Sequence, residues 1–225
     1  MVSGRGLIAS TFSSYLENNN FVIFASGVSN SQENRLEQFK RERNLLQEVS
    51  IKNLDKTLVY FSTCAFYDNY FVKTPYVNHK KNTEKWIQNN IKNYYIFRVP
   101  QIIGSKNKNQ LLGFLNEQIS KNLKFKLFDI ERNLIDLDFL FKVVDHVLKN
   151  NLFQNDIINI SYPKNISVLE IVKILEKIHS KKANYELIKK KGSFIIDNSK
   201  LIDIYDELGL IIHNFYFKKI KSHYE

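Results

Sequence analysis

The chain has 225 residues, 44% of them hydrophobic and 25% charged, with a formal net charge of +10. That length suits one large domain, or one domain with a small lobe, and is enough for a substantial core. There is no run of about 18 apolar residues to span a bilayer and no secretory leader. The single cysteine, Cys64, rules out an intramolecular disulfide and points to a reducing, cytoplasmic setting. The basic surplus comes from lysines spread along the whole chain amid many Asn and Ile. Without an arginine cluster or an aromatic-studded basic motif, neither a nucleic-acid nor a membrane surface is expected. No metal-ligand pattern is read.

In chain order, Gly4-x-Gly6-x-x-Ala9 leads into a periodic apolar stretch of Leu7, Ile8, Phe12, Tyr15 and Leu16. Such glycines let a backbone turn tightly and approach a pyrophosphate at a helix N-terminus, although a plain helix-entry turn has the same pattern. Only three residues precede Gly4, so the first strand is expected to be very short or partly missing. Asn18-Asn19-Asn20 ends this helix, and 21–27 follows as a buried strand running into the small residues Ala25, Ser26 and Gly27. A polar helix is expected over 31–49, with Phe39, Leu45 and Leu46 as its core contacts, and a third strand over 57–62.

Thr74-Pro75 forms an N-cap and first helical residue, which places Tyr76 and Lys80 at i and i+4 on one helix face. An ammonium beside a phenol favours the phenolate, and such a pair can move a proton to or from a sugar or alcohol oxygen. A solvated helix face would show the same spacing. The helix continues through Trp86 and Ile91, and 94–99 is a fourth strand. Alternating strands and helices predict a parallel α/β sheet with right-handed crossovers.

The second half is less regular. A helix is expected over 109–122 and a short strand over 124–128. The stretch 132–138 leads into an apolar helix through Val147, and 157–160 is a strand. Ser167-Val168-Leu169-Glu170 is a capping box opening a helix with Ile171, Ile174, Leu175 and Ile178 on one face. A strand over 185–188 and a short helix over 198–208 precede a basic tail.

Taken together, these pieces resemble the extended short-chain dehydrogenase/reductase family, in its branch of nucleotide-sugar epimerases, dehydratases and reductases. The resemblance spans nearly the whole chain. It rests on Gly4-x-Gly6-x-x-Ala9, Phe24-Ala25-Ser26-Gly27, Asn44-Leu45-Leu46, Ser62-Thr63-x-x-x-Tyr67 and Tyr76-x-x-x-Lys80. Further on it includes Phe97-Arg98 with Gly104, Arg132-Asn133-Leu134-Ile135-x-Leu137-Asp138, Asn159-Ile160-Ser161, the capping box, Asp197-x-Ser199-Lys200-Leu201 and Leu208-Gly209.

The resemblance implies a Rossmann-like parallel sheet with helices on both faces and a small C-terminal substrate-binding lobe. Residues 1–104 would form the dinucleotide-binding core, and 105–225 mainly the lobe, with 132–161 returning to the core. By position, Tyr76 matches the family's acid/base and Lys80 the lysine that lowers its pKa and holds the cofactor ribose. Thr63 matches the hydroxyl that polarises the substrate oxygen. Gly4, Arg5, Gly6, Ile8, Ala25 and Ser26 would join Lys80 around the cofactor. Arg132 and Gln101 would meet the substrate, Arg132 at its diphosphate. The family's dimers use the helices around the Tyr/Lys motif, so a homodimer is a candidate assembly. Trp86, Ile87 and Ile91 could line its interface or equally pack on the sheet.

The departures from the family also carry information. Cys64 and Ala65 stand where sugar 4,6-dehydratases place an Asp and a Glu, so dehydration by that mechanism is not expected. The family's second and third strands are missing between the first helix and 21–27, and with them the acidic residue for the adenosine ribose. Arg5, helped by Arg35 or Arg41, would then favour NADP over NAD by meeting a 2′-phosphate. The segment from Thr63 to Tyr76 is short, which requires a tight turn through Tyr67-Asp68-Asn69. The expected function is an NAD(P)-dependent nucleotide-sugar reductase or epimerase in surface-polysaccharide biosynthesis. The alternative is a non-catalytic or cofactor-poor relative that binds a nucleotide sugar or a partner enzyme.

Overall fold

In the computed structural model of the chain, which describes residues 1–68, 73–104, 110–189 and 195–225, β1 (Val2–Ser3) leads into the five-residue helix α1 (Leu7–Thr11) and a 3-10 turn (Ser13–Tyr15). Next come β2 (Phe21–Phe24), α2 (Leu36–Ile51) and β3 (Thr57–Thr63), then a second 3-10 turn (Cys64–Tyr67), α3 (Pro75–Asn90) and β4 (Tyr94–Val99). The second half runs through β5 (Gln101–Ile102), α4 (Leu111–Ser120), β6 (Lys124–Phe128), β7 (Glu131–Arg132), β8 (Leu134–Ile135), α5 (Leu137–Lys149) and β9 (Ile157–Asn159). It closes with β10 (Ile166–Ser167), α6 (Val168–His179), β11 (Asn184–Ile188), α7 (Ile202–Glu207) and α8 (Phe215–Tyr224).

The central sheet has the order β1-β2-β3-β4-β9, with every neighbouring pair parallel. Its strands read as apolar runs because both faces are covered. Ile23, Val59, Phe61, Tyr95 and Phe97 point into the main core, where they meet Phe12 after α1 and Leu140, Val144 and Val147 of α5. The alternate residues Val22, Phe24, Leu58, Tyr60 and Ile96 face a second cluster with Leu46 and Val49 of α2 and Ile87 of α3. Helices therefore lie on both sides, as the alternating pattern predicts. Trp86 and Ile91 pack against this second cluster too, so part of the apolar stripe considered for a dimer face is directed at the sheet.

Between β1 and β2 the chain has only α1 and a 3-10 turn, so β1 is the edge of the sheet and lies directly beside β2. The family's second and third strands are absent here, as the sequence reading expects. Gly4 is needed at the close approach that follows: its φ is +144°, and a Cβ there would lie 2.5 Å from the Ala25 carbonyl oxygen.

Several boundaries differ from the sequence reading. α2 starts at Leu36 rather than at 31, because the Glu33 carboxylate accepts the N–H groups of Asn34 and Arg35 and holds that stretch in a turn. The expected helix over 109–122 spans Leu111–Ser120, with Asn109 outside the described residues. The basic tail is a correction: 215–224 form α8. Phe215 stacks on Tyr162 at 3.9 Å, Ile220 is buried, and Lys219 pairs with Asp136 at 2.6 Å. Tertiary packing makes this helix, and the local charge pattern does not show it. Asp136 also caps α5, accepting the Phe139 N–H at 3.0 Å.

Candidate active site

α3 begins where Thr74 accepts the Val77 N–H at 3.3 Å and Pro75 takes the first turn, where its missing donor costs nothing. The helix then carries Tyr76 and Lys80 inward; they are only 6% and 2% exposed. β3 ends at Thr63, whose hydroxyl accepts the Ala65 N–H at 3.1 Å and so starts the 3-10 turn that follows. The Thr63 side chain lies beside the Tyr76 phenol, where it favours the ionised form. The i and i+4 spacing on α3 and the C-terminal end of β3 therefore bring the three expected residues to one place.

A fourth residue completes the cluster. Glu42, fully buried on α2, accepts the Lys80 ammonium at 2.9 Å and the Tyr60 hydroxyl at 2.6 Å on Oε1. Its Oε2 accepts the Val28 N–H at 2.6 Å and lies 2.9 Å from His79 Nε2. Lys80 also donates to the Tyr60 hydroxyl at 2.9 Å, and the His79 ring stacks on Phe39 at 4.6 Å. A Cβ on Gly27 would come within 2.8 Å of Lys80 Nζ and 3.1 Å of Glu42 Oε1, so the end of β2 closes on the ion pair.

Burial acts to raise the Glu42 carboxyl, but Lys80, His79, Tyr60 and the Val28 N–H hold it well below the usual carboxylate range. Tyr60, fully enclosed beside that carboxylate, is pushed well above the ordinary phenol value. Tyr76 is also raised: burial outweighs the opposing pull of Lys80 and Thr63, and Glu42 adds to the rise. Proximity to Lys80 alone predicts a lowered phenol. Desolvation reverses the sign, and Glu42 offsets part of the cation's effect.

The remaining residues fall around this centre. Gly4 lies against Ala25 and Ser26 where β1 and β2 end. Arg5 and Gly6 are exposed, and nothing lies within 4 Å of where a Gly6 Cβ would stand. Ile8 is half-buried against the main core. Arg41 donates to the Ser26 carbonyl at 3.2 Å, whereas Arg35 pairs with Glu33 at 2.7 Å. Arg132, on β7, pairs with Asp68 at 3.1 Å and so comes to the segment after Thr63. Gln101 is exposed on β5 beside Leu134. The expected turn through Tyr67-Asp68-Asn69 begins in the 3-10 turn, while Asn69 and the rest of 69–72 lie outside the described residues. So do 105–109, directly after Gly104.

Beside the cluster, Arg98 forms a two-pronged ion pair with Glu84 at 3.0 and 2.7 Å and donates to the Tyr67 hydroxyl at 3.1 Å. Tyr67 in turn donates to Asn159 at 3.0 Å, which joins the ends of β3, β4 and β9. Cys64 is buried with its thiol pushed up by desolvation, and it contacts the Arg98 carbonyl at 3.3 Å. Among the described residues no group of His, Cys, Asp and Glu is arranged to hold a metal ion, and no helix is long and apolar enough to cross a membrane.

Sequence reasoning missed Glu42, Tyr60 and His79 as part of this site. A signal for Glu42 was available: Phe39, Glu42, Leu46 and Val49 recur at helical spacing, which puts a carboxylate on the buried stripe of α2. A buried charge needs partners, and that requirement marks the position.

The parallel sheet with helices on both faces is a Rossmann-like α/β fold, and a Tyr/Lys pair lies beside the C-terminal end of its third strand. Comparison with solved structures gives the same fold. RMD from Pseudomonas aeruginosa, complexed with NADPH, superposes with a TM-score of 0.71 at 14% identity, covering 97% of this chain and 85% of that one. WbmG from Bordetella bronchiseptica, in complex with NAD and UDP, gives 0.72 at 13% identity, with coverages of 98% and 79%. UDP-glucose 4-epimerase from Thermotoga maritima, with UDP-glucose, gives 0.71 at 17% identity, with coverages of 96% and 80%. No protein-family model and no curated protein matches the sequence.

A dinucleotide can be tested against these residues. The open space beside Gly6 and the small residues at the end of β2 fit a diphosphate against the Gly4–Gly6 turn. The Lys80 ammonium, enclosed by Glu42 and Tyr60, fits a ribose less directly.

Proposed function

We propose that this chain is an NAD(P)-dependent nucleotide-sugar reductase or epimerase in surface-polysaccharide biosynthesis, working in the cytoplasm. The observation that carries this reading is the meeting of Tyr76 and Thr63 at the C-terminal end of β3, with Lys80 one helical turn further along α3. In open α/β sheets, ligands bind outside the carboxyl ends of the strands, where these side chains gather. Tyr76 holds the proton exchanged with the sugar oxygen, and Thr63 hydrogen-bonds that oxygen as charge develops on it. Gly4, Arg5, Gly6, Ala25 and Ser26 would hold the nicotinamide dinucleotide, which when bound supplies hydride chemistry. Arg5 and Arg41 at this turn favour a 2′-phosphate and hence NADP. Arg132 and Gln101 are the proposed substrate contacts.

The same geometry argues against 4,6-dehydration. The two positions after Thr63 are Cys64 and Ala65, and a buried thiol with a raised pKa is a poor proton-transfer group at neutral pH.

Binding of NADH and NADPH to the purified protein, followed by nicotinamide fluorescence and calorimetry, tests the reading. Binding is expected, and Tyr76→Phe should lower turnover by about 100-fold or more with cofactor affinity nearly unchanged. Undiminished turnover in that variant would show that the acid/base is another residue. Absence of binding at millimolar dinucleotide would favour the second reading, a non-catalytic relative that binds a nucleotide sugar or a partner enzyme. One observation favours that second reading: the Lys80 ammonium already has two protein partners.

A further inference from the structure

We propose that Glu42 is a positioning residue of this site: its carboxylate anchors Lys80 and His79 behind Tyr76 and offsets part of the lysine's charge there. The inference deepens the reading of Tyr76 as acid/base, and rests on it only for the consequence to turnover.

The geometry is that of a built site. Each Glu42 oxygen is occupied twice: Oε1 by Lys80 and Tyr60, Oε2 by the Val28 N–H and His79, all within 2.9 Å. A buried carboxylate with four donors is fixed in place and remains ionised. Lys80 is fixed in turn, with one hydrogen on Glu42, one on Tyr60 and its side chain closed in by Gly27. The charged and titratable groups facing Tyr76 are Lys80 on its own helix, Tyr60 on β3, Cys64 just after β3 and Glu42 from α2, with the neutral Thr63 hydroxyl beside them. His79 meets the far oxygen of Glu42. An ammonium alone would favour the phenolate and work against burial. An ammonium tied to a carboxylate acts as a neutral pair, and burial then keeps the phenol protonated. Tyr76 therefore stands ready as a proton donor at neutral pH, which suits protonation of an oxygen that gains charge at the site.

The test follows Tyr76 itself in the full chain, without cofactor or substrate, so that it is independent of whether the protein turns over. The chain is labelled with 13Cζ-tyrosine, Tyr76 is assigned by its loss in Tyr76→Phe, and its titration is followed by NMR. Glu42→Gln should lower the Tyr76 midpoint by about 1 pH unit or more, and Lys80→Met should raise it. The double variant should return close to the parent. If Glu42→Gln fails to fold, the step from Lys80→Met to the double variant measures the same carboxylate, and the double variant leaves neither charge unpaired. A Tyr76 midpoint that does not move when Glu42 is replaced, or a phenol protonated up to the unfolding pH in every variant, overturns the proposal.

Discussion

At the scale of single residues, the Glu42–Lys80 pair is held where water is excluded, and its energetics follow from that. Removing two charges from water is costly, and their attraction repays the cost only when the remaining hydrogen-bonding capacity is filled. Four donors fill the Glu42 carboxylate, and two of the three Lys80 hydrogens have acceptors. Lys80→Met leaves a buried carboxylate without its cation and should destabilise the chain by about 3–5 kcal/mol. Glu42→Gln combined with Lys80→Met should cost clearly less than Lys80→Met alone. Urea unfolding of the parent, the two single variants and the double variant measures this, and a double variant as unstable as the sum of the singles would mean the pair is not coupled. The sign of the pH dependence follows from the same carboxylate. Its folded pKa lies below its unfolded one, so its contribution is complete above the ordinary carboxylate range near about pH 4.3. That contribution is lost as pH falls through the folded value. Between about pH 5 and pH 3, Glu42→Gln should lose less stability per pH unit than the parent, and an equal slope in both would contradict the assignment.

At the scale of elements, α6 and α8 differ in what makes them form. Ser167 accepts the Glu170 N–H at 3.0 Å, and Glu170 reaches back to the Ser167 N–H at 3.3 Å. Both partners lie within one turn, so the helix start could be read from four letters of sequence. Ser167→Ala should cost about 1 kcal/mol in thermal or urea unfolding, and a neutral change would mean the exposed cap is replaced by water. α8 has no such local mark, and its anchor is a ring in another part of the chain, Tyr162. The same division runs through the site. The Tyr76/Lys80 spacing, the Thr74-Pro75 helix start and the apolar strands were legible because their causes are local. Glu42 could have been noticed as a charge on an apolar stripe, but its partner lies 38 residues away. Nothing in the order of residues says that α2 and α3 bring the two together, nor that burial turns the phenol from a ready base into a proton holder.

At the scale of the whole molecule, the sheet stops at β1, so a bound dinucleotide would have the Tyr76 cluster at one end and the sheet edge at the other. The strands that would lie beyond β1 are the ones the family resemblance assigns to the adenosine half, and here α1 and a 3-10 turn pass straight to β2. α1 has only five residues, so the aligned peptide dipoles at its start are few and add little for a diphosphate. Binding energy is therefore expected to come mainly from the nicotinamide end. NADH should bind no more than about tenfold more tightly than reduced nicotinamide mononucleotide, a difference of about 1.4 kcal/mol. Calorimetry with the two ligands under identical salt conditions measures the ratio. A gain of about 100-fold or more for the dinucleotide, near 2.7 kcal/mol, would mean that this chain has rebuilt an adenosine seat from residues other than the two missing strands. Arg5 and Arg41, near the turn at the end of β1 and β2, would be the first to replace. If they form that seat, Arg41→Ala should remove most of the extra affinity for NADPH and little of that for the mononucleotide.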